Sequence, residues 1–489
     1  MMKICVTIAE KSLESAIEMA RNVLSKSPDV IEIRFDMMDA LPKDLEGFKD
    51  IRVAKIATVR LARQGGKFSG TDHERLEFFR KAIRSGFNII DIESDSKILD
   101  KLAPIAEEIK IICSTHDFES TPSTSSIIET LIRNSSKADI AKAAFMVNSI
   151  RDLHAIFEAA DGFRETGNDF VIIGMGELGI LTRILSKKLG CAFTYASAEK
   201  GREIAPGQLD IDSLRFLGDA PIITGITGYP LSHTISPLLH NTAFKALHIP
   251  GIYLRFPAKA NELEDFVNLI IDVDIRGINV TIPHKTEIMA FLDKLDESAD
   301  CTGAVNTIAN ENGVLTGYNT DLHGVESTFE VNNIDPHGKS ALVLGAGGAA
   351  RACCTFLLRK GAEVYLINRS QERAMQLVDD LGGDINLIRL DDVRRHKFEI
   401  IVNCTPLGMK GFPDEDLIDP EIFSKDQFVF DVIYNPPKTR FLSEAEARGA
   451  KIASGLEMLI SQAEKAFEIW TGRSPPRDVM LKSAMEALK

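Results

Sequence analysis

Eight short β-rich runs, each followed by helical or connecting sequence, fill roughly the first 210 residues, and this repeat restricts the fold more than any other feature of the chain. The runs are KICVTIA from Lys3, VIEIRFD from Val30, VAKIATV from Val53, NIIDIE from Asn88, KIICSTHD from Lys110, DIAKAAFMV from Asp139, DFVIIGM from Asp169 and AFTYASA from Ala192. Their number and spacing predict a (β/α)₈ barrel. Amphipathic stretches such as ESAIEMARNVLSK from Glu14 fit the intervening helices. Such a barrel carries its active site at the C-terminal ends of its strands, and polar residues collect at those ends here. Glu32 and Arg34 close the second run, Arg60 follows the third, Asp91 and Glu93 close the fourth, and His116 closes the fifth. Lys142 sits within the sixth, and Arg183 follows the seventh.

Lys142 has the most pointed chemistry of these. Its neighbours in ADIAKAAF are almost all apolar, so an inward-facing ammonium would be poorly solvated. Desolvation favours the free amine, a nucleophile towards carbonyls. The competing reading is a structural ion pair with Glu32, Asp91 or Glu93. His116 suits the general base that imine chemistry needs, although a lone histidine is also a common hydrogen-bonded structural residue. Three arginines at strand ends suit a carboxylate or phosphate on the substrate.

A new strand, IITGITG from Ile222, opens the second half, and the boundary is expected near Asp219. The sharpest local signal there is SALVLGAGGAARACCTFLLRKG from Ser340: an apolar strand, a glycine turn and a helix. Gly345 permits the tight turn, Gly347 lets the backbone approach a pyrophosphate, and Ala350 allows close helix packing. Gly345, Ala346, Gly347, Gly348 and Ala349 are thus candidate dinucleotide contacts at a helix N-terminus. The next strand, EVYLINR, ends in Asn368, Arg369 and Ser370 with Arg373 beyond, where NAD enzymes usually place an acid. A guanidinium there favours the 2′-phosphate of NADP; the alternative is an exposed arginine on a solvated helix start. Upstream, GINVTIPHK places Lys285 just after Pro283, and GYNTD places Asp321 at the end of an extended run. The two make a proton-transfer pair for carbonyl reduction if they converge, and ordinary surface charges if they do not. Cys353 and Cys354 read as core packing.

A net charge of −14 argues against nucleic acid or an anionic membrane as the main partner. No apolar run approaches membrane-spanning length, and the start MMKICVTIAEKS lacks a signal-peptide layout. Seven scattered cysteines without a CxxC pair suggest reduced thiols in the cytoplasm and no zinc site. Small molecules are the expected partners, no metal is expected, and nothing in the sequence sets an oligomeric state.

The motifs EIRFD, TVR…GG from Thr58, STHDF, ADIAKAA, MGELGILTR and APGQ occur in the order seen in type I 3-dehydroquinate dehydratases, and the first half resembles that family throughout. The resemblance implies that Lys142 forms an imine with the substrate ketone and that His116 removes the neighbouring proton and assists departure of water. It implies substrate binding by Arg183 and Gln208, with Glu32, Arg34 and Arg60 lining the site. Two positions depart from the pattern: Gln64 stands where the family usually has Glu, and Ile204 where a small hydroxyl residue is common.

The second half resembles shikimate dehydrogenases through GYPLSHTISPLLHN, GINVTIPHK, GAVNT, GYNTD, GAGGAAR, NRS, NCTPLGM, DVIYNPPKT and GLEML…QA. That resemblance implies proton chemistry at Lys285 and Asp321 and NADPH as cofactor, with Thr405, Met409 and Gly455 on the cofactor side. Thr234, Ser236, Thr281, Asn306, Tyr434 and Gln462 would hold the substrate. Thr234-Ile235-Ser236 replaces the usual Ser-Lys-Ser but keeps both hydroxyls.

The expected architecture is therefore α/β: a barrel over 1–218, a substrate-binding domain over 219–323, a Rossmann NADP-binding domain over 324–460, and C-terminal helices over 461–489 returning to the substrate domain. The expected function is two consecutive shikimate-pathway steps, dehydration then reduction. Two alternatives stay open: a dehydrogenase whose barrel has drifted into a scaffold, and a metabolite-sensing regulator built from the same domains.

Overall fold

The computed structural model describes residues 1–102, 109–231, 233–382 and 384–488. The chain divides into two compact units, Met1–Pro221 and Ile222–Lys489. Ser232, within the GYPLSHTISPLLHN segment, lies outside the described residues.

In the first unit, the strands are β1 (Ile4–Ile8), β2 (Val30–Arg34), β3 (Ala54–Thr58), β4 (Ile89–Glu93), β5 (Lys110–Asp117), β6 (Ile140–Met146), β7 (Asp169–Met175), β8 (Thr194–Ser197) and β9 (Leu209–Asp210). They form one sheet in the order β7-β6-β5-β4-β3-β2-β1-β8-β9, with every paired ladder parallel. The sheet curls so that the start of β8 reaches β7, where the Ala192 N–H donates to the Phe170 carbonyl at 2.8 Å.

The two-residue period of the strands sorts the inward face into layers. The lower layer is apolar: Cys5, Val30, Ile56, Ile89, Ile112, Ile140, Val171 and Phe193 belong to one core cluster. Two residues further along the same strands come Thr7, Glu32, Thr58, Asp91, Ser114, Lys142, Ile173 and Tyr195. The apolar layer thus carries a buried polar layer on its C-terminal side.

Two features differ from the sequence reading. The two-residue strand β9, too short to show periodicity, extends the sheet beyond eight strands. The β2–β3 connection contains no α-helix, only the 3₁₀ turns Phe35–Met37 and Glu46–Phe48. Pro42 and Gly47 in that segment both disfavour a helix. It is anchored instead by Phe48, whose ring meets Phe35 and Phe87 edge-on.

The second unit has two sheets. One, β10 (Ile222–Gly228), β11 (Gly251–Pro257), β12 (Gly277–Val280), β13 (Lys294–Leu295), β14 (Thr307–Glu311) and β15 (Val314–Tyr318), is mixed, in the order β11-β10-β12-β14-β15-β13. The other, β16 (Ser340–Leu344), β17 (Glu363–Ile367), β18 (Ile385–Leu387), β19 (Ile400–Asn403), β20 (Phe428–Asp431) and β21 (Lys451–Ala453), is parallel in the order β18-β17-β16-β19-β20-β21. That is the doubly wound dinucleotide order, whose binding crevice lies where the strand order reverses, between β16 and β19. Successive β16 residues face opposite sides: Ala341 and Val343 join one core with Cys353 and Cys354, while Leu342 and Leu344 join another. Both faces are thus covered, as a parallel sheet requires.

The boundaries expected at 323/324 and 460/461 fall inside the helices Thr320–Val331 and Leu456–Thr471. Each helix carries the chain from one lobe to the other without a break. They pack closely: a Cβ on Gly324 would lie 2.6 Å from the Met458 carbonyl, and Ser461 donates to Ser327 at 2.9 Å. The helix Arg477–Ala487 then joins a core with the first lobe's helix Ser236–Ala246, through Met480, Ala484, Leu239 and Ala243.

Two candidate active sites

The polar layer of the barrel opens into a pocket lined by Glu32, Arg34, Arg60, Gln64, His116, Lys142, Arg183, Ile204 and Gln208, among others. All seven expected substrate or catalytic positions of this half, and both departures from the family pattern, therefore meet at one place. Lys142 is 5% exposed, and its ammonium donates to Asp91 Oδ2 at 2.8 Å and to the Tyr195 hydroxyl at 3.0 Å. It also lies 4.2 Å from the centroid of the Tyr195 ring. Of the three carboxylates open to it in sequence, Asp91 is the partner; Glu32 accepts instead from Thr7 and Thr58, and Glu93 pairs with Arg75. Asp91 also holds Arg60 at 2.8 Å and accepts from Ser114 at 2.6 Å. Burial works to raise the pKa of Asp91, but Arg60, Lys142 and His116 together hold it far below the ordinary carboxylate range.

His116 is pushed well below its ordinary 6.5, first by burial and then by the charges of Arg60 and Lys142. Its Nδ1 has no hydrogen-bond partner among the described residues. Gln64 does not reach the imidazole: its Oε1 accepts the His116 backbone N–H at 3.1 Å, positioning the strand and not the ring charge. Arg34 is held by a two-pronged pair with Asp36 at 2.9 and 2.8 Å. Gln208 accepts the Ile204 N–H at 3.0 Å. Arg183 stands apart: it is 2% exposed, Nε is unpartnered among the described residues, and burial alone pulls its pKa down to about 10. Two partners of Lys142 were not among the expected substrate or catalytic residues: Tyr195, which lines the pocket, and Asp91, buried against the ammonium. Both sit two positions beyond a core apolar residue on their strands, which is the signal that would have placed them inward.

In the second unit, Lys285 Nζ donates to Asp321 Oδ2, while Asn306 Nδ2 donates to Asp321 Oδ1 at 2.9 Å. The two charges do converge. Thr234 donates to Ser236 at 3.1 Å, and burial pushes the Tyr434 phenol above its ordinary pKa. The Thr281 N–H is held by the Thr227 carbonyl at 2.9 Å, and Gln462 donates to Leu459 on its own helix at 2.9 Å.

The cofactor crevice fits a dinucleotide. Gly345 has φ +107°, and a Cβ there would lie 3.1 Å from the backbone of Cys404, just past β19. Thr405 follows and Met409 is half-buried four residues on. A Cβ at Gly347 would meet nothing within 4 Å, leaving the turn open at the N-terminus of the helix Gly348–Arg359. Beyond β17, Arg369 and Arg373 are exposed, Asn368 and Ser370 are half-buried, and among the described residues no carboxylate pairs with either arginine. At Gly455 a Cβ would lie 2.0 Å from the Val432 carbonyl. Among the described residues no group of three or more His, Cys, Asp or Glu could hold a metal ion, and no helix is long and apolar enough to cross a membrane.

These sites define the class: a lysine-centred barrel lyase joined to a two-lobed nicotinamide oxidoreductase. Family profiles match as Type I 3-dehydroquinase over residues 4–218, Shikimate dehydrogenase substrate binding domain over 226–308, Shikimate / quinate 5-dehydrogenase over 327–417 and Shikimate 5'-dehydrogenase C-terminal domain over 455–485. The bifunctional 3-dehydroquinate dehydratase/shikimate dehydrogenase of Arabidopsis thaliana, named as chloroplastic, is 32% identical over 511 residues, covering 97% of this chain and 83% of its own length. A shikimate dehydrogenase (NADP(+)) of Dehalococcoides mccartyi is 42% identical over 273 residues, covering 54% of this chain and 95% of its own. A crystal structure of a shikimate dehydrogenase in complex with NADP+ matches at TM-score 0.53 and 37% identity, covering 55% of this chain and 96% of that one. The chain belongs to the family of bifunctional 3-dehydroquinate dehydratase/shikimate dehydrogenases.

The glycine turn lies against Lys285: a Cβ on Gly348 would lie 2.6 Å from Lys285 Cδ. Gly348→Ala must therefore shift the Lys285 stem, and this should disturb the ammonium's contact with Asp321. The expected result is at least about a ten-fold loss of reductase kcat, on the scale of one charged hydrogen bond, with barrel turnover intact. Steady-state assays of both activities on the one variant check it.

Proposed function

We propose that the barrel dehydrates 3-dehydroquinate through an imine on Lys142. The observation that carries this reading is Arg183, a buried guanidinium without a protein partner among the described residues, facing a pocket that also holds the lysine. A buried cation is costly unless paired, and a substrate carboxylate is the partner this reading gives it. The Lys142 amine attacks the ketone carbon, and the carbonyl oxygen leaves as water. His116, neutral in its buried setting, takes the proton from the adjacent carbon and returns it to the departing hydroxyl, which leaves as a second water. Hydrolysis of the imine consumes one water and frees Lys142, so the net change is loss of one water. Glu32, Arg34, Arg60 and Gln208 shape the pocket around the ring hydroxyls.

In the second unit, Thr234 and Ser236 would hold the carboxylate of 3-dehydroshikimate, and Thr281, Asn306, Tyr434 and Gln462 its ring hydroxyls. Lys285 and Asp321 would pass a proton to the carbonyl oxygen as it is reduced to shikimate. When bound, NADPH supplies the hydride. Gly345 through Ala349 would hold its pyrophosphate, Asn368, Arg369, Ser370 and Arg373 its 2′-phosphate, and Thr405, Met409 and Gly455 would border the nicotinamide. The described cysteines are all free, which supports a reducing, cytoplasmic setting.

Borohydride added during turnover of 3-dehydroquinate should fix a substrate adduct on the peptide containing Lys142. Lys142→Ala should show no adduct and no dehydration, while reducing 3-dehydroshikimate at the wild-type rate. An adduct on another lysine would sink the mechanism. The dehydratase pH profile gives a second test. Neutral imidazole is the working form, and its pKa lies well below 6.5, so kcat/KM should stay level as pH falls through 6.5. A single-proton decline centred there would show that His116 titrates normally or is not the base.

A further inference from the structure

Joining a lysine ammonium to a ketone as a protonated imine releases one water, so two of the three nitrogen protons must reach the oxygen and one stays. The groups around Lys142 divide that task unequally. Asp91, which accepts from the ammonium at 2.8 Å, is held as an anion between Lys142 and Arg60 and has no proton to pass on. The Tyr195 hydroxyl accepts from the same nitrogen at 3.0 Å and, among the described residues, donates to no protein group. Its own proton is therefore free for a molecule in the pocket it lines. The other hydroxyls of the polar layer are committed elsewhere: Thr7 and Thr58 donate to Glu32, and Ser114 donates to Asp91. Tyr195 is 4% exposed, and burial, followed by the charge of Glu32, pushes its phenol well above the ordinary pKa, so it keeps its proton. Its ring meets Phe193 edge-on, centroids 5.3 Å apart, which steadies the oxygen beside the nitrogen.

We propose that Tyr195 is a catalytic residue of the dehydratase: the proton relay between the Lys142 nitrogen and the carbonyl oxygen while the imine forms and while it is hydrolysed. This rests on the reading of Lys142 as the imine-forming residue. A hydroxyl can accept one proton and donate another at the same moment, and the relay works twice. As the nitrogen attacks, one N–H proton passes to the Tyr195 oxygen while the phenol proton passes to the carbonyl oxygen, giving the protonated carbinolamine. A second such transfer turns the carbinolamine hydroxyl into water. The water leaves with the electrons of the C–O bond as the nitrogen lone pair closes the C=N bond. Two protons have then left the nitrogen, the third stays on Asp91, and the tyrosine is again a neutral phenol. Hydrolysis runs the same transfers backwards, and His116 is left to the carbon proton.

Tyr195→Phe removes one oxygen and keeps the ring. The test mixes full-length protein with 3-dehydroshikimate in the absence of nucleotide and quenches with borohydride at successive times. The product ketone forms the imine without the elimination step, so the labelling of Lys142 reports imine formation alone. In Tyr195→Phe the adduct should appear about a hundred-fold more slowly, the low end of what a positioned acid–base group contributes. It should still reach about the wild-type extent, because a relay changes a rate and not an equilibrium, and reductase turnover should be unchanged. Adduct forming at the wild-type rate, or stopping well short of the wild-type extent, overturns the relay. No adduct on Lys142 in the wild-type protein overturns instead the imine reading beneath it. A second measurement needs no variant: with two protons moving together, the wild-type rate in mixtures of H₂O and D₂O should fall along a curve. A straight line, the mark of one proton, overturns the relay.

Discussion

An ammonium inside a barrel has to be met by negative charge, and the pairing of Lys142 with Asp91 organises the first half of this chain. Asp91 serves two cations at once, Lys142 and Arg60, each at 2.8 Å. Arg60 is steadied by Ser114 at 2.6 Å, and Glu93, its more distant neighbour, pairs with the fully buried Arg75. Around the pocket the cations Arg34, Arg60, Arg75, Lys142 and Arg183 outnumber the anions Glu32, Asp36, Asp91 and Glu93 by one. Four of the cations have carboxylate partners, and Arg183 has none among the described residues. Lys142 and the uncompensated charge thus share one enclosed space, and an unpaired buried cation favours an anionic occupant over a neutral one. The ion pair, one of the two readings of Lys142 in sequence, is present, and it is compatible with the proposed imine role because Asp91 and Tyr195 hold the nitrogen at the pocket.

The second half meets the same constraint with two lobes. Lys285 comes from the mixed-sheet lobe and Asp321 from the start of the helix that crosses to the doubly wound lobe. The lysine stem lies against Gly348, where a side chain would displace it. The lysine proposed for proton transfer and the cofactor turn are therefore in contact. The exposed Arg369 and Arg373 supply positive charge beyond β17, where an acid would select NAD.

Much of this was readable from the chain, for identifiable reasons. Glu32, Arg60 and His116 were legible because they stand at the C-terminal ends of the strand runs, where a barrel carries its site, and Lys142 because its neighbours in the sixth run are apolar. The glycine turn was readable because Gly345 needs a positive φ and Gly347 needs open space. Connections and partners were harder. The β2–β3 segment has a strand–helix–strand spacing but carries Pro42 and Gly47, so Phe48 anchors 3₁₀ turns instead. Domain limits placed by motif fell inside two helices, because a helix shared by two lobes has no compositional break. Gln64 is visible in sequence only as a departure from the family pattern; that its acceptor takes the His116 backbone N–H is set by tertiary placement. The bond from Tyr253 to Asn279 joins strands far apart in sequence, and no local pattern announces it.

The central claim is that one chain holds two working sites in series. The most direct measurement follows enone absorbance after the purified protein is given 3-dehydroquinate without nucleotide, and then again after NADPH is added. The account predicts a rise in the first phase and its decay in the second, with one NADPH oxidised for each enone lost. No rise, from protein that still oxidises NADPH when given 3-dehydroshikimate, would contradict it and leave a dehydrogenase carrying an inactive barrel.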